Sequence, residues 1–156
     1  MRKLPLIWLA AALIAAPAWA GPKENIAVAS RVLLEKMGQG KFEISEQIYG
    51  PGFVAHGFGR DYTLDEDNAS GRLLRKAFPD LKVGIDRTVA DGEMVAVHWR
   101  SSGTNSVKVG PFPGTGKTAG VEGMTFFRFA SGRIVEEWTT YDNLAMMRQL
   151  GMLPGS

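Results

Sequence analysis

The hydrophobic pattern changes from helical to strand period near Pro79, and this change constrains the fold more than any other feature of the chain. Before Pro79, residues 25–37 repeat apolar side chains at helical spacing. After it, four segments alternate or are rich in β-branched residues, as strands are: 81–90, 94–101, 118–129 and 133–141. Residues 143–150 return to helical spacing. This order predicts an α+β fold, with N-terminal helices packed on a curved antiparallel sheet and a short C-terminal helix.

Short local signals indicate where these elements begin and end. Thr63 is followed three residues later by Glu66, a capping box that predicts the start of a helix. A shorter helix is predicted over about 42–49. The pairs Asp91-Gly92 and Ser131-Gly132 are typical of tight turns, so each is expected to join two strands as a hairpin.

The first 20 residues have the pattern of a secretory signal peptide. Two basic residues precede an apolar run of 13 residues, Leu4 to Ala16, which is too short to span a bilayer comfortably. Ala18-Trp19-Ala20 then supplies small residues at both key positions of a cleavage site. We therefore expect cleavage after Ala20, a single domain over 21–156, and a periplasmic or secreted protein.

Composition excludes several classes of function. The chain has 18 basic and 16 acidic residues, and loss of Arg2 and Lys3 with the signal peptide leaves 16 of each sign. Without a basic stripe, nucleic acid is not an expected partner, and no membrane association is expected after cleavage. The absence of cysteine excludes disulfides, thiolate metal sites and a cysteine nucleophile, and there are only two histidines. We expect neither a metal nor a cofactor.

The second half of the chain carries a series of short motifs in a recognisable order. They are AFPDL at 77–81, DG at 91–92, PFPGTGK at 111–117, GRIVEEW at 132–138 and RQLG at 148–151. Together they resemble the SnoaL-like polyketide cyclase or ester cyclase family, over about residues 25–152. The resemblance implies the cone-shaped NTF2-like fold, also used by ketosteroid isomerase and scytalone dehydratase. Such a fold has an apolar pocket open at one end.

The resemblance also implies a mechanism against which this chain can be compared. Aromatic polyketide cyclases of the family close a ring by an intramolecular aldol reaction without a metal or cofactor. They use an aspartate on the last strand, assisted by a histidine on the preceding strand. Those positions fall on Thr139 and Thr125 here, while Asp142 matches a second family aspartate. A threonine hydroxyl does not ionise near neutral pH, so Thr139 cannot serve as the carboxylate base.

Three other residues are candidates for acid–base chemistry. His56 follows an apolar run and precedes a glycine where the chain turns toward the expected pocket mouth, and imidazole exchanges protons near pH 7. Asp142 stands between the last strand and the last helix, where it serves either as a helix N-cap or in the site. Glu137 is the third candidate, since it and Glu136 face opposite sides of one strand.

The length of the last hairpin loop decides which of the two glutamates faces the pocket. With a three-residue loop, Arg128 opposes Glu136. Glu137 then shares the pocket face with Thr139 and Tyr141, and burial would raise the pKa of Glu137 enough for it to act as a base. With a two-residue loop, Glu136 faces the pocket instead of Glu137. For either glutamate, the structural alternative is a solvated ion pair on the protein surface.

Two functions from different classes fit these residues. The first is an exported, cofactor-free acid–base enzyme acting on a small carbonyl or ester compound, with His56, Asp142 and Glu137 as candidate catalytic residues. The expected ligand-binding residues are Thr125, Phe127, Trp138, Thr139 and Tyr141. The second is a non-catalytic periplasmic protein that binds a small apolar molecule or dimerises through its sheet. The fold family favours a homodimer.

Overall fold

Among the described residues, those before Pro79 are mainly helical and those after it are mainly sheet, as the change of period predicts. A computed structural model describes residues 21–57 and 59–153, so the predicted signal peptide lies outside the described residues. The helices are α1 (Pro22–Arg31), α2 (Ser45–Ile48), α3 (Leu64–Ala77) and α4 (Asn143–Gln149), with a π-helical turn at Val32–Met37 and a 3₁₀ turn at Phe42–Ile44. The strands are β1 (Tyr49–Gly57), β2 (Arg60–Tyr62), β3 (Lys82–Asp91), β4 (Met94–Thr104), β5 (Lys108–Val109), β6 (Phe112–Pro113), β7 (Thr118–Ala130) and β8 (Arg133–Tyr141).

Six of these strands form one curved sheet in the order β2-β1-β8-β7-β4-β3, and β5 pairs with β6 in a separate hairpin. Neighbours in the large sheet are antiparallel except β1 and β8, which run parallel. The expected α+β architecture is confirmed, whereas β1 and β2 of the large sheet and the short β5–β6 hairpin are additions that the sequence pattern did not predict.

The core lies between the helices and one face of the sheet, which we call the inner face. Ala29 and Leu33 of the first helical segment pack there against Val95, Val97 and Phe127 of the central strands. Val95, Val97 and Phe127 are each 0% exposed. Burying each such side chain contributes about 1.5–3 kcal/mol, so this layer supplies much of the hydrophobic stabilisation.

The π-helical turn contains a buried lysine. Helical spacing alone continues the apolar face to Met37, yet Lys36 is 1% exposed and Met37 is only partly buried. Lys36, which follows Ala29 and Val32 at helical spacing, belongs to the buried face, and Met37 lies at the edge of that face.

The outer face of the sheet carries exposed apolar side chains. Phe126 is 44% exposed, Met124 48% and Val89 67%, and all lie on the side away from the helices. A second copy of the chain could cover this face, and the homodimer expected from the fold family stays a prediction.

Within the described part of the chain, no helix has both the length and the apolar character needed to cross a membrane.

Gly123 should be essential to the packing of the inner face. A Cβ atom at this position would overlap the ring of Trp99 and lie 2.8 Å from the carbonyl oxygen of Thr140. We expect Gly123→Ala to lower the free energy of unfolding by about 1–3 kcal/mol through overpacking. Urea unfolding followed by tryptophan fluorescence measures this. Gly120→Ala on the same strand is the matched control, since its Cβ would meet no atom closer than 3.8 Å. Equal losses in the two variants would contradict the steric argument.

Candidate active site

A cavity of about 240 Å³ opens between the helices and the inner face of the sheet. Most of its wall is apolar, including Leu33, Leu74 and Phe127. Its polar lining includes side chains from the helices and from β1, β7 and β8: Lys36, Tyr49, Asp67, Thr125, Glu137, Thr139 and Tyr141. Four of the expected ligand-binding residues, Thr125, Phe127, Thr139 and Tyr141, therefore line one cavity together with Glu137.

A β-bulge decides which of the two neighbouring glutamates enters this cavity. Phe129 pairs with Ile134, but Arg128 pairs with Glu136, which leaves Val135 as an extra residue on β8. The hairpin loop has only two residues, Ser131 and Gly132, both with positive φ, whereas the register is the one expected for a three-residue loop. The loop is one residue shorter than this register requires, but the bulge adds one residue to β8, so Arg128 still pairs with Glu136.

The consequence is a clear division of roles between the two glutamates. Glu137 is 8% exposed on the inner face. Glu136 lies on the outer face, where the guanidinium of Arg128 binds it and holds the pKa of its carboxyl below the usual range. Glu137 is thus the carboxyl available to a molecule bound in the cavity.

Burial is the largest cause of the altered acidity of Glu137. It raises the pKa of this carboxyl to about 7, and the negative charge of Asp67 adds to the effect. The ammonium of Lys36 and the hydroxyl of Tyr49 act in the opposite direction. A carboxyl with a pKa near 7 can accept and return a proton at neutral pH, which makes it suited to general base catalysis.

The sequence analysis missed three residues that form a hydrogen-bonded cluster with Glu137: Lys36, Asp67 and Tyr49. The Lys36 Nζ atom lies 2.6 Å from Oδ2 of Asp67 and 3.0 Å from the Tyr49 hydroxyl. That hydroxyl lies 3.4 Å from Oε2 of Glu137, to which it donates. The available signal was the place of Lys36 four residues after Val32 and seven after Ala29, on an otherwise apolar helix face.

A second line of polar groups runs beside Glu137. The Trp99 Nε1 atom donates to Thr125 Oγ1 at 3.0 Å, and Thr125 Oγ1 lies 2.9 Å from Thr139 Oγ1. Indole N–H can only donate, and among the described residues the buried Thr125 hydroxyl has no acceptor other than Thr139 for its own hydrogen. All groups are satisfied when Thr125 donates to Thr139, which leaves the Thr139 hydrogen to face the cavity.

His56 borders the cavity, but its imidazole ring lies on the outer face. The ring stacks on Trp138 with centroids 4.9 Å apart, and Nδ1 lies 2.7 Å from Oδ1 of Asp61. The Asp61 hydrogen bond raises the pKa of His56. Because Ala55, not His56, shares the inner face with Glu137, the structure does not bring the two together. These two candidate catalytic residues are therefore not placed to act together on one bound molecule.

Two further candidates also lie away from the cavity. Trp138 is on the outer face, 37% exposed, so the expectation that it binds a ligand in the pocket is not met. The Asp142 carboxylate accepts a hydrogen bond from the Ala145 amide at 2.8 Å and caps α4, which is the structural alternative stated above. In the described ranges, no group of three or more His, Asp or Glu side chains could hold a metal ion.

Comparison with known families agrees with this arrangement of helices, sheet and cavity. The model of the SnoaL-like polyketide cyclase family matches residues 27–150. The chain belongs to this family. The match covers nearly all of the described residues, so the resemblance seen in the sequence motifs is confirmed. No curated protein sequence matches the chain significantly.

Solved structures of SnoaL-like proteins have the same NTF2-like fold. A protein from Jannaschia sp. CCS1, described as a SnoaL-like polyketide cyclase, is 23% identical with a TM-score of 0.77, covering 85% of this chain and 95% of its own. IdmH from Streptomyces antibioticus, described as a polyketide cyclase, is 27% identical with a TM-score of 0.70, covering 85% and 99%. AclR from Streptomyces galilaeus, described as a hydroxylase, is 19% identical with a TM-score of 0.78, covering 87% and 86%. Since cyclase and hydroxylase descriptions share one fold, the fold alone does not assign a reaction.

The raised pKa of Glu137 predicts how stability depends on pH. A carboxyl whose pKa is about 7 when folded but ordinary when unfolded loses its stabilising contribution as pH rises from about 4.5 to 7. The loss approaches about 3 kcal/mol. We expect urea unfolding at pH 5 and pH 8 to show this decrease in the wild type and not in Glu137→Gln. Glu93→Gln, at an exposed carboxyl, is the control and should behave as the wild type. Identical pH dependence in the wild type and Glu137→Gln would contradict the raised pKa.

Proposed function

We propose that this SnoaL-like protein is a cofactor-free acid–base enzyme that acts on a small carbonyl or ester compound in its cavity. The observation that carries the proposal is a buried carboxyl, Glu137, with a pKa of about 7 in an otherwise apolar pocket. A proton transfer of this kind needs a base and a hydrogen-bond donor, and the chain supplies both from its own side chains.

The proposed step removes a proton from the carbon next to a carbonyl group. The C–H bond breaks, the proton passes to the carboxylate of Glu137, and the electron pair moves through the carbon–carbon bond to the carbonyl oxygen. The Thr139 hydroxyl donates to that oxygen as negative charge develops on it. Two residues along one strand face span about 7 Å, which leaves room for a carbonyl group and its neighbouring carbon between Glu137 and Thr139.

The enolate formed in this way has two ordinary outcomes. It attacks a second carbonyl group of the same molecule, which closes a ring, and the alkoxide formed there takes the proton from Glu137. Alternatively, where the enolate is conjugated with a second double bond, a different carbon takes the proton back from Glu137, which isomerises the compound. Both outcomes return Glu137 to its starting state. The cyclisation outcome is the one that agrees with the name of the family.

We also propose that the protein is exported. The support is the sequence pattern of residues 1–20, with a basic start, an apolar run of 13 residues and an Ala18-Trp19-Ala20 cleavage site. Export would place the reaction in the periplasm or outside the cell.

The second candidate is a non-catalytic protein that captures an apolar small molecule. It is favoured by one observation: the positions that match the family's catalytic aspartate and histidine are Thr139 and Thr125, and these two hydroxyls bond to each other at 2.9 Å. In this alternative the threonines orient a ligand, and Glu137 accepts a hydrogen bond rather than a proton.

Proton exchange in D₂O separates the two candidates without knowledge of the natural substrate. The bicyclic ketone 2-tetralone is the probe, and mass spectrometry measures deuterium incorporation beside its carbonyl group. We expect exchange to fall by roughly 10²–10⁴-fold in Glu137→Gln, through loss of the base. It should fall by roughly 10²-fold or more in Thr139→Val, through loss of the donor.

Two control variants make this experiment specific. Thr139→Ser keeps the hydroxyl and should retain most of the exchange, and His56→Gln changes a side chain on the outer face and should leave exchange unchanged. A loss in His56→Gln as large as that in Glu137→Gln would overturn the assignment of the base. Binding of the ketone in a thermal-shift assay, without exchange above the background rate, would favour the non-catalytic alternative.

A further inference from the structure

The most unusual charged group in the molecule is Lys36, which is 1% exposed. Its ammonium group contacts an acidic residue and a phenol from different elements: Asp67 on α3 at 2.6 Å and Tyr49 at the start of β1 at 3.0 Å. Burial of a lysine is unfavourable unless the charge is paired and hydrogen-bonded. An ammonium has three N–H donors, so Asp67 pairs the charge of Lys36 and Tyr49 supplies a second acceptor that links the lysine to Glu137.

The hydrogen bonds of this cluster have a fixed direction. An ammonium only donates and a carboxylate only accepts, so Lys36 donates both to Asp67 and to the Tyr49 oxygen. The Tyr49 hydrogen is then free to be donated to Oε2 of Glu137, 3.4 Å away. Among the described residues, none donates a hydrogen bond to the other carboxyl oxygen of Glu137, Oε1. One oxygen of Glu137 is therefore held, and the other is left for a bound molecule.

We propose that Asp67, Lys36 and Tyr49 form a positioning relay that holds Oε2 of Glu137, leaves Oε1 to exchange protons, and regulates the protonation of Glu137 through the two opposite charges. The three residues act through Glu137 and do not touch the reacting atoms. The geometric part of the inference is independent of the reaction, while its catalytic consequence rests on the function proposed above.

The electrostatics around Glu137 support two effects of opposite sign. The negative charge of Asp67 raises the pKa of Glu137, and the positive charge of Lys36 lowers it. Tyr49 lowers it as well, by donating to the carboxylate. The other titratable groups that line the cavity are Tyr62 on β2 and Tyr141 on β8. His56, on the neighbouring strand, faces the opposite side of the sheet. The charged groups that face Glu137 from the packed elements are thus Lys36 and Asp67.

The test is a direct titration of Glu137 in purified protein labelled with ¹³C at the glutamate carboxyl carbons. NMR follows the chemical shift against pH, and Glu137→Gln assigns the resonance. We expect Asp67→Asn to move the titration midpoint of Glu137 down by about one unit, and Lys36→Met to move it up by about one unit. Tyr49→Phe should move it up by a smaller amount, because it removes a hydrogen bond and no charge.

A purely structural role for the cluster predicts a different result. In that case the variants would lower the melting temperature and leave the midpoint of Glu137 unchanged, which would overturn the proposal. Lys36→Met leaves the Asp67 carboxylate unpaired and carries a risk of misfolding. The double variant Lys36→Met/Asp67→Leu removes both charges together, an exchange that proteins often tolerate. Its midpoint should lie between those of the two single variants.

The same variants separate this inference from the proposed function. If the midpoint shifts as expected while Glu137→Gln still exchanges deuterium into 2-tetralone, the relay holds and the catalytic assignment is wrong. If deuterium exchange depends on Glu137 but the titration midpoint of Glu137 is the same in Asp67→Asn, Lys36→Met and the wild type, the relay is wrong and the enzyme assignment holds. When both are correct, the pH at which exchange is half-maximal moves with the titration midpoint in each variant.

Discussion

The extra residue in β8 is the constraint on which the cavity depends. A regular strand would place Ile134, Glu136 and Trp138 on one face, since side chains alternate. Instead, the bulge at Val135 puts Ile134 and Glu137 on the same side. The neighbouring strand accommodates the bulge with Gly50, where a Cβ would lie only 3.0 Å from the Val135 side chain. One inserted residue thus exchanges a surface glutamate for a buried one.

That exchange creates an electrostatic difficulty which the helices partly resolve. A buried carboxylate is unfavourable, and the cluster adds a second carboxylate, Asp67, with a single lysine between them. Lys36 cannot fully compensate two negative charges, so the least costly state at neutral pH leaves Glu137 only partly ionised. Burial is the main reason that the pKa of Glu137 is raised to about 7, and the incomplete compensation of the two negative charges leaves that shift in place. A salt bridge made by Glu137 itself would have produced a permanently ionised group with little basicity.

The sequence predicted the architecture well because the signals for it are local and periodic. The Thr63 capping box and the Ser131-Gly132 turn both occur where they were expected. The site was harder to predict because its geometry depends on offsets of one residue. The bulge that buries Glu137 shifts the strand period by one position, and no residue type marks that shift. Lys36 stands at helical spacing on an apolar face, but spacing alone does not show which groups it contacts. The ring of His56 lies on the outer face because a shift of one residue along β1 separates the inner face from the outer face.

The threonines at the family's catalytic positions also become easier to understand with this geometry. Thr139 and Glu137 share one strand and one face, two residues apart, so a carboxyl is still present in the cavity, displaced by about 7 Å along β8. At the original position, Trp99 and Thr125 orient the Thr139 hydroxyl as a donor. In the function proposed above, adjacent inward positions of a single strand thus supply the base and the donor. The proposed carbonyl compound would then lie along β8, with its oxygen toward Thr139 and its acidic carbon toward Glu137, because a reversed orientation would place the oxygen beside a carboxylate that repels it.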